Sequence, residues 1–228
     1  MKILIGYDGS EHADAALDDL KRAGLPRDSE ALVVSVADLS ASRPAFADLS
    51  LLSSATGRIN SFLAKEKRAF QVAAGSGLEA TAQLQRRFPD WVVHYEVLQG
   101  KSADKMLWKA DEWKPDLIVV GSQGRSAIGR LFLGSVSKRV VADARSSVRV
   151  ARLRVEKDAG AAASRRIIVG VDGSPAAEQA IDAVGQRFWQ TGTEVRLIAV
   201  DDVNPPVQIA ARLPQAAEMI NNYYQTRE

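Results

Sequence analysis

The chain has 228 residues, 46% apolar and 25% charged, with a net charge of +2 at pH 7 and no cysteine. That composition fits a soluble globular protein of one large domain or a domain and a half, and it excludes disulfides, thiol catalysis and zinc–thiolate sites. No apolar run approaches the ~18 residues of a membrane span, the basic residues are interspersed with acids rather than gathered for nucleic acid, and the start is too soon charged for a secretory signal; the expected setting is the cytoplasm.

Residues 2–7 form an apolar run too short for a helix and read as a buried strand. It ends at Asp8-Gly9-Ser10, where Ser10 caps a helix running to about Ala23 before Gly24 stops it. Residues 30–37 are the next strand, closing at Asp38. Pro44 breaks the mixed stretch that follows. A helix is predicted from near Arg58 to Ala73, with Gly75-Ser76-Gly77 as a candidate interruption and a continuation to Phe88. Residues 91–98 alternate only partly, as at a sheet edge. Ser102 is the candidate cap of a helix ending at Trp113, and Lys114-Pro115 leads into a strand at 117–120.

That strand opens the most informative stretch. It breaks at Gly121-Ser122-Gln123-Gly124, passes a loop carrying Arg125 and Arg130, and reaches Gly134-Ser135-Val136-Ser137 ahead of a helical pattern. Strand, glycine loop and helix start are the arrangement that captures phosphate, because bare backbone N–H groups and the positive end of a helix dipole both face the anion. A P-loop would need lysine before the hydroxyl, and the dinucleotide fingerprint G-x-G-x-x-G is absent from this stretch. After the loop helix, residues 147–155 form a largely alternating strand, as at an edge able to pair with another subunit.

Residues 156–164 are small, polar and aperiodic, and read as a linker. The opening then returns: residues 166–180 parallel residues 2–16, and Asp172-Gly173-Ser174 repeats Asp8-Gly9-Ser10. A second strand at 194–200 ends at Asp201-Asp202 as the earlier one ended at Asp38, and a helix is predicted over 207–224. The second unit stops before any glycine loop of its own.

The spacing G-x2-G-x9-G-S, from Gly121, Gly124, Gly134 and Ser135, resembles the nucleotide loop of the ATP-binding branch of the universal stress protein family. The resemblance covers residues 1–155 as one complete unit and 165–228 as a partial second one. It implies a doubly wound five-stranded parallel α/β sheet of Rossmann-like type, whose first and fourth strands adjoin at the ligand crevice. It implies ATP as the cofactor, with magnesium as a companion, and hydrolysis that is slow or absent. Asp8 takes the family's position for the ribose or a metal, against the alternative of an Asp-Gly turn bonding its own backbone. Val36 and Ala37 lie where adenine is held by main-chain groups. Gly121, Ser122, Gly124, Gly134, Ser135, Val136 and Ser137 form the phosphate loop, with Arg125 and Arg130 equally readable as solvated. A homodimer through residues 147–155 is also carried over from the family. His12 and His94 lack partners at metal spacing and read as surface or strand residues, and Trp108 and Trp113 read as core or interface. Two other functions stay open: a nucleotide-free interaction module of the same fold, and an ATP-cleaving enzyme of a related class.

Overall fold

The computed structural model describes residues 1–38, 52–124, 133–153 and 166–200. It divides into two compact units, Met1–Lys21 with Pro26–Glu156, and Arg22–Leu25 with Lys157–Glu228. Arg125, Arg130, the break at Pro44, the linker and the helix expected over 207–224 lie outside the described residues.

The first unit is a five-stranded sheet in the order β3-β2-β1-β4-β5, with every pairing parallel. The strands are β1 (Lys2–Gly6), β2 (Glu30–Ala37), β3 (Val92–Gln99), β4 (Leu117–Gly121) and β5 (Ser147–Ala151). Helices α1 (Glu11–Asp19), α2 (Leu52–Arg87), α3 (Ser102–Trp113) and α4 (Ser135–Asp143) alternate with them. This is the doubly wound α/β fold that the sequence calls for. β1 and β4 are neighbours inside the sheet, and both are apolar on both faces. Leu4, Leu32, Val34, Ile118 and Val120 pack with Met106, Ala110 and Val140 of α3 and α4. Their alternates Ile3, Ile5, Val33 and Val119 are equally buried, and α1 and α2 pack on the strands. Each fully buried Ile, Leu or Val contributes about 1.5–3 kcal/mol of transfer free energy.

Several boundaries differ from expectation for local reasons. The first helix ends at Asp19 and tightens into a 3₁₀ turn over Leu20–Arg22, before Gly24 takes the left-handed conformation at φ 63°. Ser102 is the first residue of α3 rather than its cap; Lys101 holds that position with no side-chain bond. Most instructively, α2 runs through Gly75-Ser76-Gly77 without interruption. A Cβ on Gly77 would lie 2.9 Å from Tyr95 Cδ2. The glycine lets the helix lie close on β3, so it marks a contact rather than a break. β5 is an edge strand, but both its faces are engaged: Val148 and Val150 pack against the core, while Arg149 pairs with Asp19 at 2.7 Å. Leu153 and Trp108 are exposed, whereas Trp113 packs against the core.

The second unit contains β6 (Arg166–Gly170), α5 (Pro175–Gly185) and β7 (Glu194–Ile198), the two strands parallel. Val169, Val171 and Ile181 form its small core. The opposite face leaves Ile168 67% and Val200 80% exposed. In the repeat, Ile168 holds the place of Leu4, which is fully buried beneath α3 and α4.

Candidate functional site

A cleft of ≈ 800 Å³ opens at the carboxyl ends of β1, β2 and β4, bounded by α2, the start of α3 and the start of α4. This is the topological switch point, since β1 connects outward to β2 on one side and neighbours β4 on the other. The volume falls within the range of small-molecule sites. At the β1 end the chain reverses through Gly9, at φ 75°, a conformation that costs glycine little. The Ser10 N–H donates to Asp8 Oδ1 at 3.0 Å, and Ser10 Oγ accepts from the Ala13 N–H to cap α1. One carboxylate oxygen of Asp8 therefore builds the turn. The other, Oδ2, faces the loop, 3.1 Å from where a Cβ of Gly124 would stand. Asp8 and Gly124, 116 positions apart by subtraction of their numbers, meet across the cleft.

The loop residues divide by what they touch. Gly121, Gly124, Gly134, Ser135, Val136 and Ser137 line the cleft together with Gln123. Gly121 is also a packing residue: a Cβ there would sit 2.6 Å from the His12 carbonyl oxygen and 2.7 Å from its carbon, so only glycine lets α1 approach β4 this closely. A Cβ on Gly134 would meet Gln123 Cα at 3.2 Å, while the Gly134 N–H donates to Ser122 O at 2.8 Å. The loop closes on itself there, and α4 begins on Gly134, which has no side chain to cap it. Its first-turn residues line the cleft, and first-turn N–H groups have no intrahelical acceptors. Ser137 is buried, and its Oγ donates to Gly121 O at 2.6 Å, tying α4 to β4.

Ser122 departs from its expected place. Its N–H donates to Ala151 O at 2.7 Å, extending the β4–β5 ladder, and its buried Oγ lies 3.2 Å from His12 Nδ1. It is absent from the cleft lining, because strand alternation turns it away from the ligand side. His12 is thus a partner of Ser122 rather than a solvated surface residue. Val36 and Ala37 both line the cleft, but their main-chain groups differ. Ala37 O accepts from the Gly100 N–H at 3.1 Å, on the β3 side. Alternation turns the Val36 carbonyl the other way, past the point where Tyr7 makes the last β1-side bond to Val34 O.

Four ionisable lining residues were not anticipated. Tyr7 is 3% exposed, and its hydroxyl donates to Asp14 Oδ1 at 2.6 Å. Burial first, and then the Asp14 carboxylate, hold that hydroxyl far above the usual phenol range, so it stays neutral. Lys65 and Arg68 project from α2, and Asp38 closes the end of β2. The signal for the two cations was present in the helical spacing of residues 65, 68, 69, 72 and 73, all of which line the cleft. Among the described residues no group of three or more His, Cys, Asp or Glu is placed to hold a metal. No described helix is long and apolar enough to cross a membrane.

The model of the universal stress protein family matches residues 1–152. Universal stress protein MJ0531 of Methanocaldococcus jannaschii is 32% identical over 158 residues, covering 66% of this chain and 81% of that protein. A universal stress protein of Mycolicibacterium smegmatis is 31% identical over 159 residues, but the chain spans only 46% of its length. Among solved structures, a universal stress protein from Archaeoglobus fulgidus superposes on 97% of this chain and 74% of its own, with a TM-score of 0.58 at 21% identity. The structure of MJ0577 covers 68% of this chain and 96% of its own, at a TM-score of 0.51 and 20% identity. Sequence over the first unit and fold over the sheet agree: the chain belongs to the universal stress protein family.

Proposed function

We propose that the cleft binds an adenine nucleotide, with ATP as the principal ligand, in a regulatory protein that hydrolyses it slowly or not at all. One observation carries this reading: the Asp8 carboxylate faces Gly124 across a cleft into which the start of α4 opens. Asp8 Oδ2 supplies an acceptor for a ribose hydroxyl or a ligand for a phosphate-bound magnesium, an ion that needs only one or two protein carboxylates. The Val36 carbonyl supplies an acceptor suited to adenine, and the α4 N–H groups suit phosphate. Slow turnover is supported by the loop, which has no lysine before Ser135 to neutralise the terminal phosphates.

The test is to denature freshly purified protein, identify released nucleotide, and titrate ATP calorimetrically. One site per chain is expected. Gly134→Val should abolish it, since the side chain would enter between Gln123 and the start of α4. Wild-type affinity in that folded variant would move the site elsewhere.

A second reading, a nucleotide-free interaction module, is favoured by one fact. Gly121, Ser122 and Ser137 each have a packing or hydrogen-bonding role that needs no ligand. No nucleotide and no heat would select it. The repeat of Asp8-Gly9-Ser10 at Asp172-Gly173-Ser174 supports a tandem arrangement. We also propose a homodimer through the edge of β5; sedimentation equilibrium, with hydrogen exchange of the β5 amides followed against concentration, tests it. A monomer at all concentrations removes it.

A further inference from the structure

The loop side of the cleft offers main-chain N–H groups and a helix end worth about half a positive charge. A terminal phosphate alone brings roughly −1.5 to −2 at pH 7, and each further phosphate adds to that. Among the described residues, the charged ones that line the cleft are Asp8, Asp38, Lys65 and Arg68. Among the described lining residues, a phosphate chain without the two cations would face two carboxylates and one helix end.

Lys65 and Arg68 are one helical turn apart on the face of α2 that also presents Ala69, Val72 and Ala73 to the cleft. The alanines leave room for a ligand beside the two long side chains. Neither cation has an acid three or four positions away: Ser61, Phe62 and Ala69 flank Lys65, and Ala64, Gln71 and Val72 flank Arg68. Among the described residues no ion pair engages either one. Two like charges at i and i+3 are mildly unfavourable to a helix. An anion lying between them reverses that sign.

We propose that Lys65 and Arg68 form a second phosphate-contacting wall of the cleft and set its preference for nucleotides with longer phosphate chains. This rests on the nucleotide reading above and adds residues outside the glycine loop. A cation placed against phosphate makes a charge-assisted contact, and losing one lowers affinity by about tenfold or more. Shorter ligands that stop at the loop lose little.

The experiment titrates AMP, ADP and ATP into the full chain, as wild type and as Lys65→Gln/Arg68→Gln. Helical content is checked by circular dichroism, and Lys65→Arg/Arg68→Lys serves as the charge-retaining control. The expected result is a wild-type preference for ATP over AMP that collapses in the double Gln variant: ATP weakens by about tenfold or more and AMP by less than about threefold, with the control keeping the preference. Equal losses for AMP and ATP, or an unchanged preference, overturn this inference and leave the nucleotide site standing. A wild type that binds none of the three removes the nucleotide reading and this inference together.

Discussion

A methyl group added at Gly121 would collide with main chain rather than with a movable side chain, since His12 O and C lie 2.6 and 2.7 Å from its Cβ position. Gly121→Ala should therefore destabilise the first unit by about 1–3 kcal/mol, read as a lower urea midpoint at unchanged slope. Asp8 separates two roles on one side chain. Asp8→Asn keeps an oxygen to accept from the Ser10 N–H, so its melting temperature should stay within about 2 °C of wild type. Its ATP affinity should fall by about tenfold through loss of a charged acceptor. Tyr7 gives a pH test. Its folded hydroxyl ionises far above the unfolded value of about 10, so the stability it confers is complete below pH ~10 and is lost as pH rises beyond it. Tyr7→Phe should be less stable than wild type at pH 7, with a gap that narrows above pH ~10 in equilibrium unfolding.

Helix α2 shows how the same residue type can mean opposite things two positions apart. Among the described residues nothing lies within 4 Å of a Cβ added at Gly75, whereas at Gly77 Tyr95 stands 2.9 Å away. Gly75→Ala should stabilise by up to about 1 kcal/mol, the helix propensity difference. Gly77→Ala should recover less than that or turn destabilising, because the half-exposed Tyr95 ring must move. Paired thermal melts of the two variants decide it. This is also where sequence reading reached its limit. The strands and the order of elements were legible because the apolar runs at 2–6, 30–37 and 117–121 need burial on both faces. The cleft was legible because Asp8 and the glycines sit at strand ends. Whether a glycine breaks a helix or seats it on a strand depends on a neighbour far along the chain, as Tyr95 is to Gly77. Ser122 and His12 are 110 positions apart, and no local pattern announces their contact. The helical spacing puts Lys65 and Arg68 on one face with Ala69, Val72 and Ala73, but that this face meets the cleft depends on where the strands end.

Across the whole molecule the two units differ in how much backbone they protect. β1 and β4 are interior strands with buried faces on both sides, while β6 and β7 form a two-stranded sheet that, among the described residues, has one covered face. Native-state hydrogen exchange should find the slowest amides in β1 and β4 and faster exchange through β6 and β7, where openings smaller than global unfolding suffice. Saturating ATP should slow the first set and leave the second unchanged; equal protection of both would refute the assignment of a single nucleotide site to the first unit.

The turn at Asp172 has a meaning for tracing descent. The Ser174 N–H donates to Asp172 Oδ1 at 2.9 Å and Gly173 sits at φ 77°, which reproduces the Asp8 turn although the second unit has no glycine loop. The turn thus forms from its own hydrogen bond and its glycine, with no glycine loop beside it among the residues 166–200. In a lineage that abandons the nucleotide, Asp8, Gly121 and Ser137 should persist as fossils of folding. Gly124 is different: among the described residues a Cβ there meets only Asp8 Oδ2, across the cleft. It is the letter free to drift first, and so the one whose loss dates the change of trade.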